Sequence, residues 1–250
     1  MPHSNPSQAI VELSGAELQK IALLISEHSE DYEGLQTVLI GGWAVDTYNP
    51  YFGSQDIDIV TDGATQRWLM ERLTTHEEYT PHIRYPSDTV KKETYYGDII
   101  LDIVSWHTQY PFEGHPEVPF TFNILAGNTV TRPIRGGAGM RVPNRSMLVF
   151  LKLKAAWDRW YRLYSGRSLD ARYERGKMIK DCADILALID PMQGGRQIDL
   201  EILGSLVSRA GFLKDQIMRI PNFEEDVKKR YLGMSEQNIR KICENFVSIL

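Results

Sequence analysis

A Gly-Gly pair followed by an Asp-Ile-Asp triplet constrains the fold of this chain more than any other feature. The apolar run QTVLI, residues 36–40, predicts a buried strand that ends at Gly41 and Gly42. Thirteen residues separate Gly42 from Asp56, which with Asp58 belongs to a second predicted strand, DIDIV. Because side chains alternate along a strand, both carboxylates are expected on one face and the isoleucines on the opposite, buried face.

The residue types in this segment predict a site for phosphate and a divalent cation. Gly41 and Gly42 let backbone N–H groups approach phosphate oxygens, and the start of a following helix adds a favourable dipole. Mg²⁺ binds one or two carboxylates together with substrate phosphates, so Asp56 and Asp58 are candidate ligands. Ser54, just before them, is a candidate hydroxyl contact to phosphate. The alternative is a strand-end turn with solvated carboxylates.

A third carboxylate is expected on a neighbouring strand. Residues 91–106, KKETYYGDIILDIVSW, predict a hairpin that turns at Gly97 and Asp98. Asp102 lies in the middle of its second strand between apolar residues, so we expect it to be a metal ligand and the general base toward an acceptor hydroxyl. Nearby acidic groups raise the pKa of a carboxyl unless a metal is present. The alternative is a structural ion pair with Lys91 or Lys92 across the hairpin.

The character of the chain changes at Pro143. Strand-like segments precede it, whereas apolar residues recur at helical spacing over 149–164 and again over 178–189. We therefore predict an α+β fold, with a mixed-sheet α/β unit over 1–144 and a helical unit over 145–250.

Charge is distributed unevenly along the chain, although the net charge is only −5. Residues 1–140 contain 8 Lys and Arg against 19 Asp and Glu, a net −11. Residues 141–180 contain 11 basic and 3 acidic residues, a net +8. This asymmetry favours a site for a polyanion next to the acidic half. The alternative is a solvated, Arg-rich helix face.

The order of these elements resembles the DNA polymerase β-type nucleotidyltransferase superfamily. Two later segments, KLKAAWDR (152–159) and KDCADILAL (180–188), resemble the paired helical motifs of AbiEii-type and related uncharacterised prokaryotic nucleotidyltransferases. The resemblance covers roughly residues 35–190. This sequence departs from the superfamily pattern at Gly42, where many members have Ser.

The resemblance implies transfer of a nucleoside monophosphate from an NTP to an acceptor hydroxyl or phosphate, with release of pyrophosphate. Two Mg²⁺ ions would be held by Asp56, Asp58 and Asp102. Lys152 would contact the triphosphate, and Asp181 would orient either Lys152 or the nucleotide. The alternative interpretation of Lys152 is a surface lysine. The alternative for Asp181 is an ion pair with Lys177.

Three functions follow as hypotheses. The basic segment favours an RNA acceptor such as the tRNA acceptor end, in a toxin–antitoxin-like system with a cognate antitoxin protein. The GGWAVD segment is also similar to lincosamide- and aminoglycoside-modifying nucleotidyltransferases, which favours a small-molecule acceptor. A catalytically inactive binding module is the third. The sequence has no apolar run long enough to cross a membrane, no recognisable signal segment, and two cysteines, Cys182 and Cys243. We therefore predict a cytoplasmic protein without a membrane partner.

Overall fold

The computed structural model describes residues 6–29, 37–83 and 88–250. Gln36, the first residue of the first predicted strand, lies outside this set. The strands within it form one seven-stranded mixed sheet. They are β1 (Val38–Ile40), β2 (Ile57–Thr61), β3 (Thr80–Pro81), β4 (Thr89–Thr94), β5 (Gly97–Ser105), β6 (Thr129–Pro133) and β7 (Gly139–Pro143). The helices are α1 (Gln8–Ser29), α2 (Gly41–Asp46), α3 (Gly63–His76), α4 (Arg145–Tyr164), α5 (Ala171–Ile189), α6 (Leu200–Ser208), α7 (Phe212–Arg219), α8 (Glu224–Lys228) and α9 (Glu236–Ile249).

The sheet brings the two strands with carboxylates side by side. Its order is β3-β4-β5-β2-β1-β7-β6, with β2 parallel to β5 and antiparallel to β1. Ile57, Ile59, Leu101 and Ile103 are fully buried. Because side chains alternate along each strand, burying these residues directs the aspartates of β2 and β5 to the other face of the sheet.

Helices α4 and α5 lie against each other and provide the other wall of the site. Helix α4 begins after Asn144, whose side-chain oxygen accepts a hydrogen bond from the backbone N–H of Met147 at 2.9 Å. Val149 and Leu153 are buried, as their helical spacing predicted. One apolar core runs from the sheet into these helices and on to Phe246 in α9.

The α+β class is confirmed, with a mixed sheet that ends at Pro143 and helices that follow from Arg145. The division into units 1–144 and 145–250 stays a prediction. No helix among residues 6–29, 37–83 and 88–250 is long and apolar enough to cross a membrane. Cys182 and Cys243 are both buried and unbridged.

Two details differ from the sequence prediction. The β4–β5 hairpin turns at Tyr95 and Tyr96 rather than at Gly97 and Asp98, the first two residues of β5, where Gly97 has φ +127°. The Thr94 hydroxyl donates to the Gly97 carbonyl at 2.6 Å and closes the two-residue loop. Within the predicted helical unit, the sequence indicates helical segments around 199–210, 222–232 and 235–250, and the structure adds α7 (Phe212–Arg219) between the first two.

Candidate active site

Asp58 and Asp102 are neighbours on adjacent parallel strands. They are register partners in the β2–β5 ladder, and both line one cleft. Burial, followed by the charge of Asp58, raises the pKa of Asp102 to about 6, although the Thr89 hydroxyl donates to its Oδ1 at 2.6 Å. Burial, followed by the charge of Asp56, also raises the pKa of Asp58. The surrounding protein groups therefore compensate the negative charges of these two carboxylates only in part.

Gly41 leaves the space that Asp58 occupies. Its φ is +68°, a conformation that favours glycine, and a Cβ added there would lie 1.8 Å from Oδ2 of Asp58. Any side chain at this position would displace the carboxylate. The second glycine, Gly42, has a parallel role, since its Cβ would lie 2.5 Å from Nζ of Lys180 and 2.9 Å from Oγ of Ser54.

Asp56 lies near enough to Asp58 to raise its pKa, but its carboxylate is paired with a lysine. Strand β2 begins at Ile57, so Asp56 lies just before it, and its Oδ2 accepts a hydrogen bond from Nζ of Lys177 in α5. Asp56 lines a second pocket rather than the cleft. In the part of the chain that the structure describes, no group of three or more His, Cys, Asp or Glu is arranged to hold a metal ion. The structure thus pairs Asp58 with Asp102 in register, while the nearby Asp56 is engaged by Lys177.

The cleft and the second pocket lie on the same face of β5, on either side of Asp102. The cleft, about 300 Å³, contacts Asp102 and Val104, while the second pocket, about 230 Å³, contacts Ile100. The cleft is further lined by Ile40, Gly41, Asp58, Tyr110, Phe120, Phe122, Leu148, Leu151, Lys152, Lys154, Ala155, Asp158, Arg159 and Asp181.

Basic residues line the second pocket next to Gly42. Burial lowers the pKa of Lys180 and of Arg230, which indicates that the protein compensates their charges incompletely. Ser54 is buried and lies on the same wall. The pocket therefore combines two under-compensated cations with a hydroxyl group, which is a suitable environment for a phosphate group.

Lys152 and Asp181 form a buried ion-pair network rather than two independent site residues. Nζ of Lys152 lies 3.0 Å from Oδ1 of Asp181 and 2.6 Å from Oδ2 of Asp184. Nε of Arg159 donates to Oδ2 of Asp181 at 2.8 Å. Burial alone would raise the pKa of Asp181, but Lys152 and Arg159 hold it down at about 2. Lys152 and Arg159, seven residues apart in α4, both line the cleft.

The structure contradicts three of the alternative interpretations. Lys152 is buried rather than a surface lysine. Asp181 pairs with residues of α4, whereas Lys177 pairs with Asp56. Across the hairpin, Asp102 contacts Thr89. The hairpin lysines contact other acidic residues: Lys91 pairs with Glu93 and Asp98, and Lys92 with Glu17 and Glu78.

The sequence prediction did not identify Lys177, Lys180 and Asp184 as site residues. A signal was present, because these charged residues recur at i, i+3 and i+7 along a helix whose buried residues, Asp181 apart, are otherwise apolar. The hydroxyl of Tyr51 donates to Oδ1 of Asp184 at 2.6 Å. That contact connects residues 133 positions apart, and no local pattern predicts it.

Most of the basic residues of 141–180 are paired within the protein. Of the 11, at least seven form ion pairs with carboxylates. The partners include Asp56 from the acidic half and Asp181 and Asp184 from α5. Five carboxylates outside the segment therefore offset more than half of its net +8: Asp56, Glu113, Asp181, Asp184 and Asp226. The seven are Lys152, Lys154, Arg159, Arg162, Arg175, Lys177 and Lys180.

The donor set fits a hard divalent cation at one position. Asp58 and Asp102 offer adjacent carboxylate oxygens, and a nearby cation would relieve the repulsion that raises their pKa values. A second ion held by Asp56 as well would require the Asp56–Lys177 pair to open.

Comparison of the sequence with protein-family models and with curated proteins gives no match. Among solved structures, the antibiotic-resistance factor ANT(2'')-Ia, determined in solution, is similar over 78% of this chain and 89% of its own. The identity is 14% and the TM-score 0.41. These values are too low to assign a function or a substrate, so the assignment below depends on the side chains of the site.

Proposed function

We propose that this protein is a nucleotidyltransferase that transfers a nucleoside monophosphate from an NTP to a hydroxyl acceptor. The observation that carries the proposal is the register pairing of Asp58 with Asp102, with Gly41 leaving the space for the Asp58 carboxylate. Half-buried, adjacent carboxylates with raised pKa values are costly for a fold to retain, and they occur where a site needs them.

The triphosphate would lie in the second pocket. Lys180 and Arg230 would supply positive charge, and Gly42 and Ser54 would allow close approach of phosphate oxygens. Lys177 lines the same pocket and would exchange Asp56 for a phosphate group when the nucleotide binds. The α-phosphorus would then lie near Asp58, between the two cavities.

The acceptor would approach from the cleft. Its hydroxyl oxygen attacks the α-phosphorus, the bond from that phosphorus to the oxygen bridging the β-phosphate breaks, and pyrophosphate leaves. The hydroxyl proton passes to the carboxylate of Asp102. Mg²⁺ held by Asp58 and Asp102, together with Asp56 for a second ion, would supply positive charge that stabilises the phosphates.

Two observations favour a small-molecule acceptor over RNA. RNA presents many phosphates to Lys and Arg at once, and at least seven of the 11 basic residues in 141–180 would have to exchange an internal carboxylate for one of them. The cleft volume of about 300 Å³ is also typical of a small-molecule site. Transfer to the tRNA acceptor end, with a cognate antitoxin in a toxin–antitoxin-like system, is the alternative. An inactive binding module is disfavoured because it has no need of the Asp58–Asp102 pair.

The test is calorimetric titration of the four NTPs, as analogues that cannot be cleaved between the α- and β-phosphates, with and without Mg²⁺. We expect Mg²⁺-dependent binding of at least one analogue, weakened tenfold or more in Asp58→Asn. The matched control is Asp98→Asn, the same change on β5 at a carboxylate that lines neither cavity and pairs with Lys91. Binding that does not depend on Mg²⁺ or on Asp58 would contradict the proposal.

A further inference from the structure

The cleft proposed to receive the acceptor has an aromatic wall. Tyr110 and Phe122 are half-buried, with ring centroids 5.5 Å apart and an interplanar angle of 64°. Phe120 packs edge-on against Phe122 at 5.3 Å and is itself only 5% exposed. The backbone N–H of Tyr110 donates to the Phe120 carbonyl at 2.9 Å, so the two segments that carry the wall are tied together. Contacts within the protein therefore hold this wall in place.

The side of the cleft formed by α4 is apolar where it meets this wall. Leu148, Leu151 and Ala155 line it, and Val104 adds an aliphatic side chain from β5. Burying apolar ligand surface in such a space contributes about 25 cal/mol per Å². A ligand with a flat apolar face gains this contribution, whereas a fully hydrated, polyhydroxylated ligand does not.

The charged residues of the cleft outside the reacting centre are each paired with a residue of opposite charge. Lys154 pairs with Asp158 at 2.5 Å, and Lys152 and Arg159 both pair with Asp181. A polyanion would have to compete with these buried carboxylates for cations. A polycation would find Asp158 and Asp181 already engaged, and breaking a buried pair is costly. The lining therefore disfavours both kinds of highly charged acceptor.

From these observations we infer that the acceptor is a small neutral alcohol or phenol with a flat, apolar ring, seated against Tyr110 and Phe122 with its hydroxyl at Asp102. This inference rests on the proposed function, because it names the acceptor of the same transfer. It assigns Phe122 as a residue that determines acceptor specificity and takes no part in NTP binding.

The experiment measures pyrophosphate release with Mg²⁺ and the NTP that binds. The acceptors are two ring-bearing neutral alcohols, phenethyl alcohol and tyrosol, together with glucosamine as a cationic acceptor and bulk tRNA as a polyanionic one. We expect turnover with at least one ring-bearing alcohol and none with glucosamine or tRNA. Phe122→Ala should raise the KM for that alcohol on the order of tenfold, with kcat and the Kd for the NTP analogue unchanged.

Two further variants keep the test decisive. Phe122→Leu retains apolar volume without the ring and should give an intermediate KM, and it replaces Phe122→Ala if that variant does not fold. Tyr95→Ala removes an aromatic ring that is 94% exposed at the hairpin turn and lines neither cavity, so its acceptor KM should equal that of the wild type.

The failures of the two proposals are distinguishable. Preferred transfer to tRNA or glucosamine, no transfer to either ring-bearing alcohol, or an unchanged KM in both Phe122 variants would overturn the inference about the acceptor. In each of these cases, Mg²⁺-dependent binding of the NTP analogue would leave the proposed function intact. Loss of that binding in the wild-type protein would overturn both.

Discussion

Replacing Asp102 by Asn is expected to stabilise the metal-free protein at neutral and alkaline pH. Asp102 lies beside Asp58 across the β2–β5 ladder, and its ionised form is disfavoured by burial and then by that neighbouring charge. Asparagine has nearly the same shape and can still accept the hydrogen bond from the Thr89 hydroxyl. The substitution therefore removes the charge and leaves the packing in place.

The magnitude follows from the pKa of Asp102, which rises from 3.8 to about 6 on folding. At about 1.4 kcal/mol per pKa unit, ionised Asp102 destabilises the fold by about 3 kcal/mol. Because the folded pKa lies above the unfolded one, the penalty is absent well below about pH 4, where the group is protonated in both states. It grows as the pH rises from about 4 to about 6 and is complete above that range.

Urea unfolding in the presence of a chelator measures this difference. Asp102→Asn should raise the free energy of unfolding by about 3 kcal/mol at pH 8 and by well under half of that at pH 4. Asp98→Asn, an exposed carboxylate of the same strand, is the matched control and should show no such gain. A variant that is no more stable than the wild type at pH 8, or a gain equal at both pH values, would refute the reasoning.

Three further substitutions test the site. Gly41→Ala should abolish Mg²⁺ binding, measured by calorimetry, because its Cβ would lie 1.8 Å from Oδ2 of Asp58; Gly127→Ala, at a similar φ of +74° with open space around it, should retain binding. Lys177→Gln should weaken binding of the NTP analogue while Mg²⁺ binds at least as tightly as in the wild type, since Asp56 is released; weaker Mg²⁺ binding would argue against the Asp56–Lys177 exchange. Lys152→Met should lower the free energy of unfolding by about 3 kcal/mol, because two buried carboxylates lose their shared cation. Lys228→Met, at the exposed pair with Glu236, should cost less than about 1 kcal/mol, and equal losses would contradict the network.

The sequence by itself determined the elements that carry the site. The alternation in DIDIV and GDIILDIVS predicted strands with Asp58 and Asp102 on the face opposite the buried isoleucines, and helical spacing predicted α4 and α5. These features are local, because a period of two or of 3.6 residues can be read within one segment. The sequence pattern did not predict α7, and it placed the hairpin turn two residues too late. Both segments are short and lack a clear period, so periodicity does not identify them.

Only the tertiary structure decided which charged groups meet. Asp56 and Asp58 have the same chemistry and lie two residues apart, yet Asp58 faces Asp102 whereas Asp56 contacts Lys177, 121 positions away. The basic segment 141–180, which alone favoured a polyanion, becomes largely paired once α4 and α5 pack together. The physical reason is that strand register and ion pairing depend on contacts between distant segments, and a buried charge takes whichever opposite charge the packing places beside it.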